Sequence, residues 1–130
     1  MNLKIINNYV EAINNADVEK LCSLLADDHI FIDSQDNRFA GVENMRQGWK
    51  QYFEMFPDYK IEIEEITERD SMIFAFGYAG GTYKNIKNEA NSNYWRIPAA
   101  WKAVVKDGKI KLWQVYADNS VVMDIVKRNQ

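Results

Sequence analysis

The chain has one cysteine, one histidine and two prolines in 130 residues, and each scarcity excludes something. Cys22 has no second thiol, so no internal disulfide holds the fold, and its setting in LCSLL points to packing rather than reactive chemistry. One His with scattered acids gives none of the ligand spacings that bind zinc, and neither a metal nor a cofactor is expected. Gly77, Gly80 and Gly81 fall in a strand-like run and its end, not between strand and helix, so no nucleotide-binding loop is present. No stretch approaches the roughly 20 apolar residues of a membrane span. The opening MNLKIINNYVEAI lacks the apolar core and cleavage site of a signal peptide, so a reducing cytoplasm is the expected location. With 16 basic and 19 acidic residues the net charge is −3, and no Lys/Arg cluster marks a nucleic-acid or anionic-membrane partner.

What is there makes one domain. Residues 1–130, 47% of them hydrophobic, suffice to bury a core, and no repeat or Pro/Gly-rich linker divides them. Leu3, Ile6, Val10 and Ile13 form a helical stripe with Tyr9 beside it, ended by Asn14-Asn15. Asp17 is placed to cap a second helix whose buried side is Val18, Leu21, Cys22, Leu24 and Leu25. The strand-like HIFIDSQD follows, in which Ile30, Phe31 and Ile32 lead into a carboxylate, Asp33. Gln35 to Phe39 is turn-like. Val42, Met45, Trp49, Tyr52, Phe53 and Phe56 then recur at helical spacing, a third helix stopped at Pro57.

From there the period changes to two. Tyr59, Ile61 and Ile63 alternate with Lys60, Glu62 and Glu64, a strand with one wet face and therefore an antiparallel sheet. Met72–Tyr83, Tyr94–Lys106 and Lys109–Ala117 complete a meander, the last two joined across the hairpin signal Asp107-Gly108. Lys84 to Asn93 reads as a loop, and the tail SVVMDIVKRNQ as a short helix capped by Asp118, Asn119 or Ser120.

Three helices gathered on one side of a curved, mixed but mainly antiparallel sheet make an α+β domain. A strongly twisted sheet of this kind can curl into a cone, whose apolar lining with a few inward polar groups is the usual form of a small-molecule site. His29, Phe31, Trp49 and Phe53 from the first half of the chain, and Phe76, Trp95, Trp101 and Trp113 from the later strands, are the expected ligand-binding residues. The same aromatics can instead simply fill the core.

The segments YVEAINNADVEKLCSLLADD, HIFIDSQDNRFAG and GKIKLWQVYAD resemble the nuclear transport factor two-like superfamily, in particular its ketosteroid isomerase-like and SnoaL-like polyketide cyclase branches. The resemblance covers nearly the whole chain in element order. It implies a conical, cystatin-like α+β barrel with a pocket between helices and sheet, in a homodimer packed through the sheet's outer face. Ketosteroid isomerases place a carboxylate base at the end of the first strand and a Tyr oxyanion donor on the first helix, and Asp33 and Tyr9 stand at those places. Their third catalytic residue, a protonated Asp, falls here on Ala99 or Ala100. Losing one oxyanion donor costs on the order of a hundred- to a thousandfold in rate, which argues against steroid isomerisation. The late-strand Asp of limonene epoxide hydrolases falls on Val115. For the acid that SnoaL-like cyclases carry near the end of the last strand the one candidate is Asp118, out of phase with Trp113, Val115 and Ala117 and better read as a helix cap.

At the mouth of an apolar pocket Asp33 would lose solvation and become a stronger base toward a carbon acid beside a carbonyl, with Tyr9 donating to the enolate. His29 shares that strand face and is either a proton relay or a residue of the strand's exposed start. Arg96 either clamps an anionic ligand from inside or pairs with Glu62 or Glu64 across the sheet. Three functions are then open: an isomerase or cyclase acting on a hydrophobic carbonyl compound, with Asp33 and Tyr9 catalytic; a binding protein with the same cavity; and a dimerisation module that buries Ile63, Ile66 and the outer sheet face.

Overall fold

The computed structural model describes residues 2–85 and 93–130. Helices α1 (Asn2–Asn14) and α2 (Val18–Ser23) lead into strand β1 (Leu25–Ile32), followed by β2 (Arg38–Ala40) and α3 (Val42–Met55). Then come β3 (Lys60–Arg69), β4 (Met72–Thr82), a short 3-10 turn (Tyr83–Asn85), β5 (Tyr94–Lys106), β6 (Lys109–Ala117) and α4 (Ser120–Arg128). Most of the expected loop from Lys84 to Asn93 lies outside the described residues.

Local chemistry fixes the joints. Asp17 accepts the Lys20 N–H at 3.1 Å and so starts α2. Asp107 and Gly108 both take positive φ, 52° and 75°, the geometry that folds β5 back onto β6 in a two-residue turn. Among the described residues six strands form one sheet in the order β2-β1-β6-β5-β4-β3, with β1 parallel to β6 and the other neighbours antiparallel. Helix α1 touches both β6 and the edge strand β3. Three spacings of about 4.8 Å separate those strands, more than the roughly 10 Å width of a helix, so the sheet curls around α1. The Asn14 amide closes the curl, donating to Ile61 O at 3.0 Å and accepting the Ile61 N–H at 2.8 Å as a neighbouring strand would. Trp101, Trp113, Tyr9, Phe56, Ile6 and Ile13 are among the large side chains wholly inside. Among the described residues no helix is long and apolar enough to cross a membrane.

Strand irregularities correct three expectations. The register of β3 against β4 shifts between Ile63 and Glu65, which leaves Glu64 as an extra residue. Beyond it Ile66 pairs with the buried Ala75, so Ile63 and Ile66 both pack on the core and neither belongs to the outer face. Phe76 alternates with the buried Ala75 and Gly77 and is 49% exposed, so it faces outward and is no part of the cone's lining. The turn-like stretch from Gln35 contains β2, three residues paired with the end of β1 and too short to show a period.

Candidate functional site

A second irregularity builds the deep end of the interior. Leu25 pairs with Ile110 and Ile30 with Leu112, so β1 carries surplus residues between those pairs, and Asp27 and Asp28 bulge into solvent. Ile110 turns both its backbone groups toward β1. Its N–H bonds to Leu24 O at 2.9 Å, and its C=O meets Nδ1 of the His29 ring at 2.7 Å. The imidazole thereby fills the ladder position that the bulge leaves open. A carbonyl only accepts, so Nδ1 carries the proton and Nε2 keeps a lone pair. His29 is 0% exposed and Nε2 meets no hydrogen-bond partner among the described residues. Burial pushes the ring below its ordinary value of 6.5, outweighing the Ile110 bond and the Asp28 charge, so the imidazole is neutral at pH 7.

One strand over, Trp113 lies beside Phe31 in register and gathers the other polar groups. Helix α1 sets Tyr9 edge-on to it with ring centres 5.0 Å apart, and Trp101 stacks on it at 6.2 Å. The Tyr9 hydroxyl is wholly buried and meets no aligned partner among the described residues; burial pushes its ionisation far up, partly opposed by the side chain of Trp49. Tyr9 is therefore a permanent O–H donor. The indole N–H groups of Trp101 and Trp95 are also buried without a partner among the described residues. Trp95 belongs to a separate cluster at the far end of β5, against Phe56 at 5.4 Å and Tyr59 at 6.0 Å. Trp49 links the parts, stacked with Phe53 at 5.4 Å and edge-on to Phe31 at 6.5 Å. Phe31 and Phe53 are half-buried, the solvent side of this aromatic shell.

Asp33 stands just past the end of β1, half-buried. One carboxylate oxygen accepts the N–H groups of Gln35 and Asn37, both at 2.9 Å, and the other accepts the Asn37 side-chain amide at 3.1 Å. The carboxylate thus staples the turn that returns the chain as β2, the use of Asp that a tight turn favours. Of the candidate residues, the fold brings Tyr9, His29, Phe31, Trp49, Trp101 and Trp113 into one interior, sets Trp95 at its far end, puts Phe76 outside and gives Asp33 partners from its own turn.

The two residues of open direction are also resolved. Arg96 donates to Glu62 at 2.7 Å with its guanidinium 3.8 Å from the Tyr78 ring centre, on the outer face. Asp118 accepts the Ser120 N–H at 3.0 Å, a turn bond just ahead of α4 that holds its carboxyl below the usual range, while Asn119 is the N-cap residue and makes no side-chain cap bond. What sequence reasoning missed is the role of His29 and the unpaired indole N–H of Trp101. The signal for the first was Asp27-Asp28, two charges that break the apolar alternation just before the histidine.

Surface concavities lie elsewhere. One of about 610 Å³ opens beneath the bulge between Cys22, Asp28, Lys106 and Lys111. Another of about 410 Å³ sits on the outer sheet face between Phe76, Tyr78, Pro98 and Tyr116. Among the described residues no cluster of His, Cys, Asp and Glu is arranged to hold a metal ion.

Comparison with known proteins agrees with this architecture. The family model described as "SnoaL-like domain" matches residues 6–113. No curated protein matches the sequence. Among solved structures, a protein of ketosteroid isomerase-like fold from Catenulispora acidiphila, in complex with trimethylamine, superposes with TM-score 0.81 at 17% identity, covering 93% of this chain and 90% of that one. A protein of Xanthomonas campestris provisionally assigned as a polyketide cyclase gives TM-score 0.83 at 18% identity, covering 95% and 96%. An epoxide hydrolase of the LEH-like type from M. tuberculosis gives 0.79 at 15% identity, covering 98% and 90%. At such identities the likeness is one of fold.

Proposed function

Because the chain belongs to the SnoaL-like domain family, we propose that it is a small-molecule pocket protein that holds a hydrophobic carbonyl compound in the interior around Trp113. The observation that carries this reading is the pair of buried donors, Tyr9 O–H and Trp101 N–H, that no group among the described residues satisfies. A buried donor without a partner costs about 1–3 kcal/mol, and a carbonyl oxygen is the acceptor that a ligand brings to such a donor. Aromatic walls supply the apolar complement. The half-buried Phe31 and Phe53 are the side chains that turn aside to admit the ligand. Structural neighbours that hold trimethylamine or hydrolyse epoxides accord with a scaffold that takes small molecules.

Turnover as an isomerase or cyclase, with Asp33 as base and Tyr9 as donor, is the second reading. The place of Asp33 at the end of β1 favours it, although its carboxylate already accepts three hydrogen bonds within its own turn. We further propose that two copies pair through the outer sheet face, and that Cys22, buried and unpaired, suits a reducing cytoplasm.

The test is titration of intrinsic tryptophan fluorescence with butyrophenone, with thermal stability as a second readout. Saturable binding is expected for the wild type, about tenfold weaker binding for Tyr9→Phe, and unchanged binding for Asp33→Asn. Wild-type protein that shows no saturable response across a series of aryl ketones overturns the pocket reading. Conversion of a ketone that stops in Asp33→Asn moves the conclusion to the enzyme.

A further inference from the structure

The interior around Trp113 is not uniform in hydrogen-bond polarity. Trp101 Nε1 can only donate, and Tyr9, ionising far above its ordinary range, keeps its proton and donates too. His29 differs. Its Nδ1–H is committed to Ile110 O at 2.7 Å, so the ring cannot turn over without breaking a bond of the sheet ladder, and Nε2 is left as a fixed acceptor. The residue is 0% exposed and lies on the strand beside Trp113, two positions before Phe31. A simple ketone brings acceptors only and leaves this lone pair unmet.

We infer that His29 is the specificity-determining acceptor of the interior site, and that the ligand is a hydrophobic hydroxyketone. Its carbonyl is held by Tyr9 and Trp101, and its hydroxyl, at the opposite end, donates to His29 Nε2. The inference rests on the pocket reading above and adds the ligand's second polar group. Burial keeps the imidazole neutral, so the lone pair is present at pH 7. No bond is made or broken in the complex.

The experiment compares 4-hydroxybutyrophenone with butyrophenone, which lacks the donor. Wild-type protein is expected to bind the hydroxyketone about tenfold more tightly, the usual effect of one hydrogen bond to a buried group. His29→Asn keeps an amide N–H for Ile110 O and removes Nε2; it is expected to bind the two ketones with equal affinity. His29 is the sole histidine, so nitrogen-15 NMR of the ring reads the same contact without any substitution. The Nε2 resonance is expected to start as an unprotonated nitrogen, move on adding the hydroxyketone, and stay put with butyrophenone. Equal wild-type affinities, a preference that survives in His29→Asn, or an unmoved Nε2 each overturn the assignment; if the variant does not fold, the NMR result decides. Wild type that binds butyrophenone but does not prefer the hydroxyketone leaves the pocket reading standing and this one refuted, whereas binding of neither ketone refutes both.

Discussion

His29 ties the sheet ladder to a titratable ring, and that makes stability depend on pH. In the folded chain burial lowers its proton affinity below the ordinary 6.5, so protonation favours the unfolded state. The sign follows. Stability is fully present above about pH 6.5, the unfolded value, and drains away as pH falls from there toward the lower folded value. Asp28, held low by its bond to Lys111, and Asp118, held low by Ser120, stay ionised through that window and add no slope of their own. Thermal midpoints taken between pH 7.5 and 5.5 should fall in the wild type and fall less in His29→Asn; parallel slopes would remove this account. Asp33 shows how far a residue's place can be legible while its partners are not. The sequence DSQDN marks the end of a strand and the start of a turn, but whether the carboxylate faces the cone or staples Gln35 and Asn37 depends on backbone angles that no spacing encodes.

At the scale of elements, period was a reliable guide wherever one element had one buried face. The stripes of α1 and α3, the Asp17 cap and the β5–β6 hairpin all came from local rules and stand where those rules put them. The bulges did not, because a bulge is a relation between two strands. One surplus residue at Glu64 reverses the side on which Ile66 emerges, and nothing within IEIEEIT announces it. Gly77 sits opposite that irregularity, where a Cβ would lie 1.8 Å from the backbone oxygen of Glu62. Gly77→Ala must push β3 off β4 and is expected to destabilise by about 1–3 kcal/mol or more. Gly48, exposed within α3 and with nothing near its missing Cβ, is the contrasting case; Gly48→Ala should stabilise by about 1 kcal/mol. Urea unfolding of the two variants checks both signs, and a neutral Gly77→Ala would mean that β3 and β4 approach less closely than described.

For the whole molecule, the sheet's edges and its outer face differ in what they offer a second copy. The β3 edge is taken up at Ile61 by the Asn14 amide and broken by the Glu64 irregularity, and the β2 edge is three residues long, so neither provides a long run of open backbone groups. The face is different. Phe76, Ala100 and Tyr116 form one row across β4, β5 and β6, with Phe76 49% and Tyr116 52% exposed on either side of the small Ala100. Two large apolar rings flanking a methyl group make a groove that, in the proposed dimer, a second copy rotated about a two-fold axis would fill with its own rings. A net charge of −3 opposes that approach only weakly. Specific dimers bury about 800 Å² per partner, and a cation at the centre of the row could not be desolvated without an acidic partner. Ala100→Arg should therefore convert a particle of twice the 15.2 kDa chain mass into a single chain by light scattering. Because the proposed ligand site lies inside one chain, the near-ultraviolet circular dichroism and the butyrophenone affinity of that variant should match the wild type. Wild-type protein that already scatters as a single chain at about 100 μM, well above the dissociation constant of a specific dimer, would refute pairing through this face.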